Sequence, residues 1–233
     1  MNLDFLLFPF AGGNKYSYQR FIQNKPNFCV IEYPGRGGRM SESLLSEVDL
    51  VVENIIVQIE NMIKNDYVIY GHSMGALVGY LLCHKIQELG LPKPIKLVVS
   101  GIKAPSIKRG KLISHLPDDL FWEEVIKIGG ISDELQNYPE LVEFYIPILK
   151  ADFTVVENYE YVKKEKLTIP IDVFYGSEEA EEEEMQGWKD ETTANVNITQ
   201  MEGNHFFIFD HIDFFINYFK NLTNNLIYQQ TNA

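Results

Sequence analysis

Between Tyr67 and Ala76 the chain reads YVIYGHSMGA, a short apolar run followed at once by the pattern G-x-S-x-G. A strand before this pattern and a helix after it form the context of a serine nucleophile on a sharp strand-to-helix turn. The turn is so tight that the residues flanking the serine must be small, which explains Gly71 and Gly75. It would raise the hydroxyl of Ser73 above a sheet at a helix N-terminus, where the helix dipole favours a developing anion. An ordinary turn capped by a serine is the alternative.

Strand-like and helix-like patterns alternate outward from this turn. Apolar runs bounded by Gly and Pro predict strands at 4–8, 28–33, 67–70, 95–100, 169–176 and 196–201. Apolar residues spaced three and four apart predict helices at 44–63, 76–89 and 206–219. Alternation of this kind is typical of a mostly parallel sheet with helices on both faces, so the expected fold class is α/β.

One long segment departs from the alternation. From about 104 to 161 no strand pattern occurs, and the helical patterns are interrupted by Pro117, Gly129–Gly130, Pro139 and Pro147. The simplest interpretation is a helical insertion between two strands of the sheet. We therefore expect a core formed by residues 1–104 and 162–233, with a helical insertion at 105–161.

The charge balance argues against two classes of partner. The chain holds 20 Lys and Arg against 33 Asp and Glu, a net charge of −13. Nucleic-acid binding needs clustered basic residues, and an anionic membrane repels an acidic protein, so neither partner is expected. Two isolated cysteines, Cys29 and Cys83, predict buried thiols in a reducing compartment, and no apolar run is long and uncharged enough to span a bilayer. We expect a cytoplasmic monomer.

A serine nucleophile needs a base, and histidines stand at positions 72, 84, 115, 205 and 211. His72 adjoins Ser73 in the turn, so its side chain should point elsewhere. His205 follows the last predicted strand through the loop EGN. Loops at the carboxyl ends of parallel strands line the active sites of such sheets, which makes His205 the predicted base. A capping or solvated loop histidine is the alternative.

An anionic intermediate needs two backbone N–H donors. The residue after the nucleophile, Met74, should supply one of them. The other should come from the loop PFAGG after the first strand, whose glycines let the backbone approach closely. We favour the amide of Ala11, with Phe10 as the second candidate.

The third member of a triad would be an acid, and the stretch GSEEAEEEEM from Gly176 offers six glutamates. Only the first few residues after the strand can reach the imidazole of His205, while the later ones suit the first turn of a helix. That leaves Glu178 and Glu179. Two other acids are disfavoured, one inside a predicted strand and one at the end of the insertion: Asp172 and Asp152.

Five segments together resemble one family. LFPFAGG, EYPGRGGRM, YGHSMGA, SHLPDD and GNHFF occur in the order and spacing of the α/β-hydrolase fold. The chain resembles, over nearly its whole length, the external type II thioesterases that accompany nonribosomal peptide and polyketide synthases. In that family the helical insertion is a lid over the site.

The resemblance implies a reaction and a partner. An acyl or peptidyl carrier protein would present an acyl or aminoacyl group on a phosphopantetheine thioester. Ser73 would attack it, an acyl-enzyme would form, and water would release the acid. Such enzymes clear misprimed or stalled groups from carrier domains. Hydrolysis of this kind needs no cofactor and no metal, and the phosphopantetheine belongs to the substrate.

The resemblance also assigns the acid. The family usually places an aspartate three residues after the glycine that ends the preceding strand, and from Gly176 that position is Glu179. Glutamate serves as the triad acid in some α/β-hydrolases.

The insertion suggests further candidates. Its aromatic residues would line an acyl channel or simply form the core of the lid: Phe121, Trp122, Phe144 and Tyr145. Its basic residues would dock the carrier or be ordinary solvated charges: Lys108, Arg109 and Lys111.

Two other functions compete with this hypothesis. An acyl-CoA thioesterase or small-molecule esterase could use the same fold, because fold alone does not set the substrate. A non-catalytic, hydrolase-like binding module is the other alternative. The intact order Ser73, Glu179, His205 argues against the latter.

Overall fold

A computed structural model describes residues 3–22, 27–108, 110–131 and 134–231, so Arg109 lies outside the described residues. Six strands form one sheet: β1 (Asp4–Phe8), β2 (Phe28–Val30), β3 (Tyr67–His72), β4 (Lys96–Ser100), β5 (Ile171–Gly176) and β6 (Val196–Met201). Their order is β2-β1-β3-β4-β5-β6, and every neighbouring pair is parallel. The predicted α/β class with a parallel sheet is confirmed.

The described residues form seven α-helices around the sheet: α1 (Gln19–Ile22), α2 (Val48–Ile59), α3 (Met74–Glu88), α4 (Asp118–Ile128), α5 (Pro139–Glu157), α6 (Glu182–Gln186) and α7 (Ile212–Thr231). α2 and α3 pack on one face of the sheet through residues such as Ile55 and Leu77. α1 and α7 pack on the other face, where Phe21, Phe215 and Phe219 are buried. Strands covered on both faces need continuous apolar runs, and all six residues of β3 and of β5 are buried.

The strand register brings distant loops together at one edge of the sheet. Phe8 at the end of β1 pairs with Gly71 in β3, so the loop after β1 meets the turn after β3. Gly176 at the end of β5 pairs with Met201 at the end of β6. The loops that follow these two strands are therefore neighbours as well. A site built from these four loops follows from the topology.

The predicted insertion contains α4 and α5, joined through a 3-10 helix at Leu135–Asn137, and no strand among its described residues. Pro139 occupies the first turn of α5, a position where its missing N–H costs nothing. Pro147 stands inside α5. The two helices share a small apolar cluster centred on Phe121, Val125 and Leu149.

Several element boundaries differ from the prediction, and the last helix, α7, runs to Thr231 rather than 219. The other large differences are in β2, in α2 and at the start of α7. β2 ends at Val30 and α2 covers only Val48–Ile59 of the predicted 44–63. The last helix begins at Ile212 rather than 206, because the aromatic run before it forms a 3-10 helix at Phe207–Phe209 that buries itself under the sheet.

Both cysteines are free thiols, but only Cys83 is buried, so the prediction that both are buried was wrong for Cys29, which is half-buried. Among the described helices, none combines the length and the apolar character that crossing a membrane requires.

Candidate active site

Ser73 occupies a strained turn between β3 and α3. Its φ of 55° and ψ of −119° make it the only non-glycine residue with a positive φ in the described part of the chain. Backbone strain of this kind concentrates at functional sites. The residues two positions before and after Ser73 must be glycine. A Cβ on Gly71 would lie 2.2 Å from the carbonyl oxygen of Gly75, and a Cβ on Gly75 would lie 2.0 Å from the carbonyl oxygen of Phe8. The sequence pattern thus has a steric cause.

His205 and Glu179 form a direct pair beside this turn. The Nδ1 of His205 lies 2.5 Å from Oε1 of Glu179, and the two side chains are only 20% and 14% exposed. Oε2 of Glu179 accepts a longer contact of 3.4 Å from the amide of Gly176. A carboxylate at Nδ1 fixes the tautomer that leaves Nε2 free to accept a proton.

Backbone contacts hold the loops of these two residues against each other. The amide of Glu178 donates to the carbonyl of Gly203 at 3.0 Å, and the amide of Gly203 donates to the hydroxyl of Ser177 at 3.1 Å. A Cβ on Gly176 would lie 2.5 Å from the carbonyl oxygen of Asn204. Glycine at the end of β5 therefore permits the close approach that joins acid and base.

The two candidate acids of the glutamate stretch behave differently. Glu179 contacts His205, whereas the side chain of Glu178 is exposed. The later glutamates begin α6, where Glu181 and Glu184 cap the helix reciprocally and Glu184 also binds Lys103 at 2.5 Å. Negative charge at that helix start is favourable, as the sequence predicted.

Ser73, His205 and Glu179 line one cavity of about 570 Å³. The insertion closes its other side with apolar residues of α4 and α5, among them Ile128, Phe153 and Val156. Lysines stand around it at positions 103, 108, 111 and 127. Three of these pair with glutamates, and Lys108 makes no ion pair with a described residue.

His72 lies behind the site, as its position beside the serine predicted. It is fully buried, its Nδ1 is 2.9 Å from the hydroxyl of Ser100, and its ring centroid is 5.0 Å from that of His205. Burial, with a smaller contribution from neighbouring His205, holds the pKa of His72 well below its ordinary range. A neutral His72 adds no positive charge beside His205.

The loop after β1 forms a tight turn across Phe10–Gly13. The amide of Gly13 donates to the carbonyl of Phe10 at 2.8 Å, and Gly12 has a φ of 75°. The amide of Gly12 is also taken, because it donates to Oδ2 of Asp152 at 2.7 Å. The amide of Ala11, which was predicted to hold the oxyanion, makes no hydrogen bond with any described residue.

From the sequence, Asp152 was disfavoured as the triad acid, and Arg36 of the PGRG segment had no assigned role. The structure buries both side chains and joins them through two hydrogen bonds. Asp152 belongs to α5, so this contact also ties the insertion to the loop after β1. The sequence contained only two signals for this pair: an aspartate within an apolar helical pattern and an arginine between glycines.

The four aromatic residues of the insertion have different surroundings. Phe121 is fully buried against Phe153, with ring centroids 5.5 Å apart, and belongs to the core of the insertion. Trp122 and Tyr145 line a second cavity of about 340 Å³ together with Ala11. Phe144 is 40% exposed at the edge of a third cavity. Two of the four therefore line a largely apolar cavity beside the loop after β1.

Comparisons with known proteins agree with this geometry. A family model described as "Thioesterase domain" matches residues 4–222. "Gramicidin S biosynthesis protein GrsT" of Aneurinibacillus migulanus is 30% identical over 208 residues, 87% of this chain and 81% of its own length. "Probable anguibactin biosynthesis thioesterase AngT" of Vibrio anguillarum is 32% identical over 216 residues, 88% and 85% of the two lengths.

A solved structure agrees over a still larger share of the chain. The "Crystal structure of ClbQ from the colibactin NRPS/PKS pathway" matches with a TM-score of 0.90 and 27% identity, over 98% of this chain and 99% of that one. The resemblance inferred from the five sequence segments is confirmed, and so is the fold that it implies.

Proposed function

Because the chain belongs to the thioesterase family, we propose that it hydrolyses acyl or aminoacyl thioesters on the phosphopantetheine arms of carrier proteins, through an acyl-enzyme on Ser73. The observation that carries the proposal is the 2.5 Å contact between His205 and Glu179 in the cavity that Ser73 also lines. Relatives named for the biosynthesis of gramicidin S and of anguibactin, and the similar ClbQ structure from an NRPS/PKS pathway, support a carrier protein as the source of the thioester.

The proposed chemistry follows from the three side chains. Oγ of Ser73 attacks the thioester carbonyl while Nε2 of His205 takes its proton, and the same nitrogen returns the proton to the departing pantetheine sulfur. A water molecule then repeats the attack on the serine ester and releases the acid. Glu179 holds the His205 tautomer and stabilises the imidazolium that forms in each step. No cofactor of the enzyme enters this scheme.

The oxyanion would be held by two amides. Met74 begins α3, so its N–H is one of the helix amides without an intrahelical partner. Ala11 lies in the neighbouring turn, with Phe10 as the second candidate. The close contact of Gly75 with the carbonyls of Phe8 and Pro9 supports this arrangement, because it brings the two backbones together.

The two cavities suit two parts of the substrate. The cavity of Ser73 carries lysines at its rim, and a phosphopantetheine arm brings a phosphate that needs a cation. The second cavity is lined by apolar residues, including Trp122, Tyr145 and Leu149, and suits an acyl group. We therefore assign the first to the arm and the second to the acyl chain.

The carrier would have to dock without long-range attraction. Carrier proteins are usually acidic, and this chain has a net charge of −13, so the two repel each other at a distance. Local contacts must then supply the affinity. Lys108 is the best placed of the described lysines, because it is exposed at the cavity and unpaired by any described residue.

A comparison of substrates tests the proposal. Matched acyl groups would be offered on a carrier protein, on coenzyme A and as a simple oxygen ester, and kcat/KM would be measured for each. The proposal predicts the highest value for the carrier and an unchanged rate after dialysis against EDTA. Preference for acyl-CoA or for the ester would replace it with the corresponding alternative, and loss of activity with EDTA would overturn the metal-free scheme.

A further inference from the structure

We propose that Asp152 and Arg36 are positioning residues for the oxyanion site, which hold the turn Phe10–Gly13 in one orientation. The inference rests on the proposed function and adds two residues outside the triad to it. Asp152 and Arg36 are 2% and 3% exposed, and they come from the insertion and from the loop after β2. Neither lines the cavity of Ser73 described above.

The carboxylate of Asp152 makes three hydrogen bonds with defined roles. Nη1 and Nη2 of Arg36 donate to Oδ2 and Oδ1, a planar two-point contact that fixes the orientation of the carboxylate. The amide of Gly12 then donates to Oδ2 at 2.7 Å. Arg36 thus orients the carboxylate of Asp152, and this carboxylate holds the amide of Gly12 in the turn.

The orientation of that amide decides which turn forms. A φ of 75° at the third residue of a hydrogen-bonded four-residue turn is typical of type II, whereas type I has a negative φ there. The two types differ by a flip of the central peptide, here the bond between Ala11 and Gly12. A glycine permits both. The flip would turn the carbonyl of Ala11 toward the carboxylate of Asp152, so charge repulsion excludes it.

Other contacts fix the preceding part of the same loop. The hydroxyl of Tyr33 donates to the carbonyl of Pro9 at 3.1 Å, and the guanidinium of Arg36 lies 5.3 Å from the centre of the Tyr33 ring. Leu149, three residues before Asp152 on α5, packs over Gly12, where an added Cβ would meet it at 2.6 Å. Gly12 is therefore held from the insertion by one apolar and one charged side chain.

The test separates positioning from stability. In Asp152→Asn one acceptor oxygen becomes an NH2 donor, so the side chain cannot accept all three hydrogen bonds from Arg36 and Gly12. The negative charge that repels the flipped turn is lost as well. With a short-chain acyl thioester of N-acetylcysteamine we expect kcat to fall about 10- to 100-fold and KM to change less than about 3-fold. This substrate needs no carrier. If the wild-type protein does not cleave it or acyl-carrier, the proposed function fails and not this inference.

A second variant keeps the test decisive where Asp152→Asn folds poorly. In the double variant Arg36→Met, Asp152→Leu no buried charge is left unpaired, and such replacements often restore stability. We expect a melting temperature near that of the wild type but the same fall in kcat, because nothing holds the Gly12 amide. A stable double variant with wild-type kcat would overturn the proposal. So would an equal loss of kcat in Asp172→Asn, which disrupts a partly buried ion pair at the amino end of β5.

Discussion

The two ends of β5 carry acids with different surroundings. Asp172, near the amino end, is 5% exposed and is held by Lys96 at 2.7 Å, by Asn197 at 2.8 Å and by the hydroxyl of Tyr218. Glu179, just beyond the carboxyl end, touches one titratable ring and borders a cavity. Both side chains are hydrogen-bonded, and both are largely shielded from solvent.

The difference lies in what the partners leave free. Both carboxylate oxygens of Asp172 accept hydrogen bonds from protein donors, so we expect this residue to contribute to stability and not to turnover. Burial of Tyr218, and to a smaller extent the negative charge of Asp172, raises the pKa of Tyr218 above its ordinary range, so its hydroxyl remains a donor. Glu179 instead contacts Nδ1 of His205, and the proposed reaction uses the other ring nitrogen, Nε2, as the base. The topology explains this polarity, because only the carboxyl ends of parallel strands open onto the site.

The largest effect should come from removing the histidine of the Glu179 pair. His205→Ala leaves Ser73 without a base, and we expect kcat to fall by roughly 10⁴-fold or more. The melting temperature should change little, since the side chain is partly exposed. Steady-state kinetics at neutral pH on acyl-carrier measures this. Near-normal turnover would remove His205 from the triad.

The acid should matter almost as much, but only at one of two adjacent positions. Glu179→Gln keeps the shape and loses the charge that stabilises the imidazolium, so we expect kcat to fall by roughly 10²–10⁴-fold. Glu178→Gln is the matched control and should stay within about 3-fold of the wild type, because its side chain is exposed. An exchange of these phenotypes would show that the structure has the loop register wrong by one residue.

A smaller effect should appear at the cavity rim, and only with the carrier substrate. Lys108→Glu adds repulsion toward an acidic carrier and toward the phosphate of its arm, so KM for acyl-carrier should rise several-fold. The N-acetylcysteamine thioester has neither group and should be spared. Lys163→Glu, an exposed lysine that precedes β5, is the matched control. Equal changes in KM for both substrates would reject docking at Lys108.

The smallest effect on turnover should come from the acid at the other end of β5. Asp172→Asn removes the charge that Lys96 and Tyr218 both use, and we expect it to lower the free energy of unfolding by about 2–4 kcal/mol. Its kcat should stay within about 2-fold of the wild type under conditions where the protein is folded. Denaturant unfolding and kinetics on the same sample check both statements. A large loss of kcat with intact stability would end the contrast between the two acids.

The sequence predicted the parts of the site that local patterns encode. G-x-S-x-G after an apolar run marks a turn with a steric requirement, and the structure meets it at Gly71 and Gly75. The alternation of apolar runs predicted the sheet, although it misplaced the start of α7, because Phe207–Phe209 is apolar without helical spacing. The stretch from Gly176 alone did not decide between Glu178 and Glu179 as the triad acid. The resemblance to a family then selected Glu179, the one that contacts His205.

Contacts between distant segments were not predictable in this way. Asp152 and Arg36 are separated by 116 positions, and neither periodicity nor turn chemistry links them. The surroundings of the aromatic residues of the insertion were not predictable either. Phe121 and Trp122 are adjacent in sequence, yet Phe121 is buried in the insertion and Trp122 lines a cavity. Which face of an amphipathic helix meets the site depends on tertiary packing.

The most direct test of the account is to trap the acyl group on the enzyme. Acyl-carrier would be mixed with excess wild-type protein, quenched in acid at successive times, and examined by mass spectrometry after digestion. We predict that the peptide containing Ser73 gains the mass of the acyl group and loses it as free acid accumulates, and that Ser73→Ala shows neither adduct nor acid. Release of the acid by Ser73→Ala at the wild-type rate would contradict the account.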